Sequence, residues 1–237
     1  VLAALDELGL PVGRLAGVSS GAIAGTFYAA GFAPREVLKL LLDTNFRGLT
    51  RPAFSSLGLL GLEAVEQLLG RHLGPALQFE DLRLPLTLVA TDLVAGESVY
   101  FTTGPLLPPL LASAAVPIVY RAVQYQGRQL VDGGLLNNLP VEALLGRPGE
   151  RIVGLHCNPL NTDVRVYTLR RLIERTLQLA LSTNIVGSKA QCDLLLEPPA
   201  LRDYRPLDYR KAPELFEVGY RYTFSRAADL QALVAAS

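Results

Sequence analysis

The sequence predicts a single three-layer α/β domain over residues 1–237, with a central, mostly parallel sheet, and two observations carry that prediction. Helical and strand-like apolar patterns alternate along the whole chain, the order that lays helices over a sheet. The 237 residues, 50% of them apolar and 19% charged, suffice for one sizeable core and exclude intrinsic disorder. Neither internal repeats nor low-complexity stretches interrupt the alternation.

Leu2, Leu5 and Leu8 recur at helical spacing and Gly9 follows where a left-handed cap is favoured, so the first residues read as the tail of a helix. Residues 14–18 form a short apolar strand. From Ser20 the run Gly21-Ala22-Ile23-Ala24-Gly25 begins a small-residue helix that Gly31 closes, giving strand, sharp turn and helix in succession. Pro34 opens a helix over 35–42, and 61–73 is another, with Leu62, Val65, Leu68 and Leu69 on one face. A Gly- and Phe-containing connector, 45–60, lies between them. Residues 86–93 and 98–103 are strands of a hairpin turned at Ala95-Gly96-Glu97, 106–115 is a helix, and Gly127 marks a β-turn ahead of Leu130-Val131-Asp132. Further on come a buried-type strand (151–157), an amphipathic helix (168–186), a short strand (193–196) and helix from Pro213.

With 22 basic and 22 acidic residues, a net charge of 0 and no long basic run, the chain lacks the electrostatic footprint of a nucleic-acid binder. No apolar run reaches the roughly 18 residues of a membrane span, and no signal-peptide pattern opens the sequence, so a cytoplasmic location is expected. The chain contains no methionine and starts within a helical pattern, which points to residues ahead of Val1. Cys157 and Cys192 have no CxxC spacing and read as buried free thiols; no metal or other cofactor is expected.

Gly17-Val18-Ser19-Ser20-Gly21 has the form G-x-S-x-G at a strand-to-helix junction, the context of a nucleophile elbow. There the serine holds a strained conformation with its hydroxyl exposed, and the two glycines allow close backbone approach. The first free helix amide, that of Ser20, faces the position of an oxyanion. A serine needs a base. His72 sits on a polar helix position beside Arg71, and His156, in a strand, is the one candidate for a Ser…Asp…His order. Asp132, in Val131-Asp132-Gly133-Gly134, is the stronger candidate, because Gly133 and Gly134 let its loop approach another closely. Removal from water raises a carboxylate's pKa toward useful basicity. Asn137 and Asn138 read as caps of a helix opened by Pro140.

Taken together, the elbow and the downstream Asp-Gly-Gly resemble the patatin-like phospholipase family. Gly17-Val18-Ser19-Ser20-Gly21-Ala22 is similar to its nucleophile block, and Asp132-Gly133-Gly134-Leu135-Leu136-Asn137-Asn138-Leu139-Pro140-Val141 to its D-G-G block in the bacterial branch similar to neuropathy target esterase. Ala112-Ser113-Ala114-Ala115-Val116-Pro117 resembles a third block, and Leu207-Asp208-Tyr209 with Glu217-Val218-Gly219-Tyr220 also resembles that branch. The resemblance implies a patatin-like α/β/α fold and a serine hydrolase with a Ser19–Asp132 dyad. Its implied substrates are acyl esters of phospholipids or lysophospholipids, reached by peripheral contact with a membrane and cleaved through an acyl-enzyme. Two departures stand out. The family's glycine-rich G-G-G-x-[KR]-G oxyanion loop, expected just ahead of the first helix, is not among these residues, and Pro117 runs into Ile118-Val119-Tyr120-Arg121 where the family has a Gly and further Pro.

Three readings stay open on the sequence: the dyad lipid hydrolase, a triad esterase using His156, and a non-catalytic lipid-binding or regulatory module. The segment 46–62, with Phe54, Leu57, Leu59 and Leu60 among glycines, is expected to act as an apolar flap over the acyl chain or against lipid.

Overall fold

The computed structural model of the chain describes residues 1–43, 62–204 and 209–235. At its centre lies β2 (Leu86–Asp92), buried at every position except Thr87. One edge of β2 carries β3 (Glu97–Phe101), antiparallel, with Phe101 opposite Leu88 and Glu97 opposite Asp92. β1 (Leu15–Gly17) runs parallel to the first half of β2 and ends with Gly17 opposite Leu88. β5 (Arg128–Asp132) runs antiparallel to the second half and ends with Asp132 opposite Ala90. Because β3 already occupies residues 88–92 on one edge, β1 and β5 share the other, and their C-terminal ends meet two residues apart along β2. β4 (Val123–Tyr125) adds to the outside of β5 through a turn in which Gln126 (φ 49°) and Gly127 (φ 74°) are both left-handed, as a two-residue hairpin requires. A second, parallel pair joins β6 (Val153–Leu155) to β7 (Leu194–Leu196). The sheet is thus mixed, with its antiparallel pairs contributed around the hairpins, and the fold class is α/β as expected.

α1 (Leu2–Glu7) ends at Gly9, whose φ of 66° accounts for the glycine there. α2 (Ser20–Ala29) presents Ala22, Gly25, Thr26, Phe27 and Ala29 inward, and its small residues bring it onto β1 and β2, with Gly25 beside Leu86. α5 (Leu107–Ser113) lies over β2 and β5 with Leu110 and Ala112 wholly buried, joined there by α4 (Glu63–Leu73). α3 (Pro34–Asp43) and α8 (Ala212–Ser225) stack with α1: the Arg35 guanidinium lies 5.4 Å and 5.2 Å from the ring centres of Phe216 and Tyr220, and Tyr220 donates to Glu7 at 2.5 Å. α9 (Ala227–Ala235) follows. α6 (Leu169–Thr183) and the short α7 (Val186–Lys189) complete the chain order before β7.

Some expectations change. The strand read over 151–157 is only three residues long, so Cys157 lies beyond its end and is exposed, while Cys192 is half-buried; both thiols are free. Asn137 and Asn138 do not cap the 3-10 turn Val141–Leu144. Asn137 instead donates to Tyr100 Oη (3.1 Å) and to Glu142, because the loop after Asp132 turns its side chain back toward β3. The connector 45–60, the flap expected in 46–62 up to residue 61, and Leu207-Asp208 lie outside the described residues.

Candidate active site

The head-on meeting of β1 and β5 sets the geometry. Beyond Gly17 the chain turns sharply into α2, and Ser19 at the turn has φ 54° and ψ −124°, a conformation L-residues rarely adopt. What holds it there is the last residue of α5. The Ser19 N–H lies 3.1 Å from both the backbone oxygen and Oγ of Ser113. Two residues on, Ala115 O accepts from Asp132 N at 2.9 Å. One small-residue stretch therefore ties down both chain ends, a role that the Ala112–Pro117 resemblance did not reveal for Ser113.

A side chain on Gly17 would place Cβ 2.7 Å from Gly21 O and 2.9 Å from Ala22 N, so the elbow closes only on glycine. Gly21 differs: no atom lies within 4 Å of its Cβ position, and the close approach expected of both glycines belongs to Gly17 alone. Within the turn, Gly21 N and Ala22 N both donate to Val18 O, and Ser19 N is taken by Ser113. Among the described residues the Ser20 N–H, first in α2, stands at the positive end of the helix dipole.

Asp132 is 6% exposed, its carboxyl accepts from Gly134 N at 2.8 Å, and the Ser19 hydroxyl stands near enough to favour its charged form. Burial raises its pKa from 3.8 to about 6, against the pull of the Ser19 hydroxyl and the Gly134 N–H. Gly133 is the closest approach in the site. A Cβ there would lie 2.3 Å from Val89 O and 2.9 Å from Val18 Cγ2, so glycine is required for the loop to pass between β2 and the elbow. A Cβ on Gly134 would lie 2.8 Å from Asn138 Oδ1 and 3.2 Å from Leu181 Cδ2. From α6's C-terminal end, Asn184 donates to Gly134 O (3.0 Å) and Leu135 O (3.2 Å) and accepts from Asn138 N (3.1 Å). No motif pointed to Asn184, since its partners are backbone groups 46, 49 and 50 residues distant in the chain.

His156 sits elsewhere, after β6. Its Nδ1 is 2.6 Å from Glu197 Oε1, which also accepts from Lys189 Nζ at 2.6 Å, and its buried Nε2 has no hydrogen-bond partner. Burial lowers its pKa, with Glu197 opposing, so the ring is neutral and donates from Nδ1. Ser19 is therefore not bonded to this imidazole. His72 is exposed on α4. Among the described residues no cluster of three or more His, Cys, Asp or Glu is arranged to hold a metal ion, and no helix is long and apolar enough to cross a membrane.

Comparison with known proteins agrees with this geometry. Residues 1–145 match the family model described as patatin-like phospholipase. An uncharacterised NTE family protein of Mycobacterium tuberculosis is 36% identical over 160 residues, covering 67% of this chain and 44% of the relative. Patatin-like phospholipase domain-containing protein 7 of Rattus norvegicus is 24% identical over 265 residues, covering 94% of this chain and 19% of the relative. The chain thus spans less than half the length of these relatives. A strained serine at a glycine-closed elbow, a buried aspartate on a Gly-Gly loop and a match over residues 1–145 converge on one assignment: the chain belongs to the patatin-like phospholipase family.

Proposed function

We propose that the chain, acting as one patatin-like domain, is a serine hydrolase that cleaves the carboxylic ester bonds of phospholipids or lysophospholipids with a Ser19–Asp132 dyad. The observation that carries the reading is the buried Asp132 carboxyl, its pKa raised by burial and drawn down by the nearby hydroxyl of a serine held at positive φ. Asp132, ionised above about pH 6, takes the Ser19 proton as Oγ attacks the ester carbonyl carbon. The tetrahedral oxyanion accepts from the Ser20 N–H. As the intermediate collapses, the C–O bond breaks and Asp132 returns the proton to the departing alcohol oxygen, leaving an acyl-Ser19. Water then gives a proton to Asp132, attacks the acyl carbon and releases the fatty acid, and Ser19 Oγ regains its proton. Peripheral contact with a lipid surface belongs to the same reading, since the substrates are aggregated.

Fluorophosphonate labelling with peptide mapping tests it. The label is expected on the peptide holding Ser19 and is expected to vanish in Ser19→Ala. His156→Ala separates the dyad from a triad: near-parental labelling and turnover support Asp132 as base, and their loss would transfer that role to the imidazole.

A further inference from the structure

We propose that the outer face of α6, with the irregular segment leading into it, docks on an anionic lipid surface while its inner face holds the dyad loop. The inference rests on the lipid-hydrolase reading for its purpose, but its observations are independent. On an ideal helix, Leu169, Leu172, Thr176, Leu179 and Thr183 fall within an arc of about 80°. The three leucines are 72%, 52% and 45% exposed, although α6 buries Ile173, Leu177 and Leu181 partly on its other side. Both threonines fold their hydroxyls back onto the helix, Thr176 Oγ1 to Leu172 O (2.9 Å) and Thr183 Oγ1 to Leu179 O (2.5 Å). Their polar atoms are thereby satisfied inside the helix, and the stripe is apolar throughout. Tyr167, 74% exposed, and Val186, 68% exposed, extend it at either end.

Charge favours anionic lipid as the occupant. Arg171 and Arg175 flank the stripe on one side, each giving an N–H to a backbone carbonyl (Arg165 O and Asn161 O), and Arg165 precedes it with an N–H to Tyr167 Oη. Glu174 projects from the opposite side of the helix, and Asp163 lies two residues before Arg165. An apolar stripe beside arginines and a tyrosine is the make-up of an interfacial helix. A second copy of the chain would bring these arginines toward their own like in a two-fold contact. The same helix touches the candidate site: Leu181 lies against Gly134, and Asn184 holds Gly134 O and Leu135 O.

The test separates binding from turnover by using Ser19→Ala protein, which leaves the lipid intact. Flotation with vesicles of phosphatidylcholine alone, and of phosphatidylcholine and phosphatidylglycerol in equal parts, is expected to recover protein chiefly with the anionic vesicles. Leu172→Asp with Leu179→Asp is expected to weaken that binding at least tenfold, and the same pair in the Ser19-containing protein to leave hydrolysis of a soluble short-chain ester unchanged. The chain has no tryptophan, so Leu172→Trp supplies a single fluorophore whose emission is expected to shift to the blue on vesicle addition. Arg165→Gln with Arg171→Gln is expected to abolish the preference for phosphatidylglycerol. Absent flotation, an unshifted Leu172→Trp spectrum, or a double-Asp variant that still floats overturns the proposal. So does a dimer that the double-Asp variant dissociates while vesicle binding persists. Loss of ester hydrolysis in the Ser19-containing protein, with vesicle binding intact, would instead count against the hydrolase reading alone.

Discussion

Asp132 combines two roles that pull against each other. As a base it gains from burial, which lifts its pKa to about 6; as a charged group in the core it destabilises the fold. Its folded-state value exceeds the unfolded 3.8, so its contribution to stability is complete below about pH 3.8 and is lost as pH rises through about 6. The shift of about two pKa units corresponds to about 3 kcal/mol. Asp132→Asn is therefore expected to cut turnover on the order of 1,000-fold yet to melt above the parent at pH 8, the gap closing toward pH 4. A pH–rate profile on a soluble ester is expected to rise through about 6 and level off. The glycines of the site sort by space. Gly133→Ala forces Cβ into Val89 O and is expected not to fold stably, whereas Gly21→Ala meets nothing and is expected to gain roughly 0.5–1 kcal/mol of helix stability; thermal melts check both. Ile118 has φ 72°, a left-handed conformation that a β-branched side chain disfavours, at the place where the family carries a Gly after its Pro. Ile118→Gly is expected to raise the melting temperature.

Among elements, α5 and α6 do what neither motif announces. The end of α5 clips the elbow and the aspartate strand together through Ser113 and Ala115, and the end of α6 clamps the loop after Asp132 through Asn184. Asn184→Ala removes three hydrogen bonds to that loop at once, and is expected to destabilise by about 1–3 kcal/mol. It is also expected to lower kcat more than it raises KM, because the loop carries the base and not the lipid. Steady-state kinetics with a short-chain ester, alongside a denaturant melt, distinguish that outcome from simple unfolding.

For the whole molecule, stability resides in the layer between the sheet and α2 and α5, where Leu88, Leu110 and Leu130 are fully buried. Leu110→Ala leaves a cavity there and is expected to cost about 2–5 kcal/mol, with turnover per folded molecule retained. The helical cap of α1, α3 and α8 is joined by exposed polar and ring contacts, such as Arg35 over Phe216, and perturbing those is expected to move the melt much less.

Much was legible in the residues themselves. Turn chemistry is local, so Gly9, Gly31 and Gly127 marked boundaries that the structure keeps, each with positive φ. The elbow was readable because Gly17 is needed for contact with its own near neighbours, Gly21 and Ala22, and the Asp132 loop because adjacent glycines announce a close approach. What they approach was not readable. That Gly133 passes over Val89, that Ser113 holds Ser19, that Asn184 clamps Gly134, and that the imidazole of His156 turns to Glu197 are contacts between residues far apart in sequence. Local periodicity has no term for them. The register of β1 and β5 on β2 decides them, since a strand ends where its partners end, and only the assembled sheet brings Gly17 and Asp132 to opposing stops on one edge.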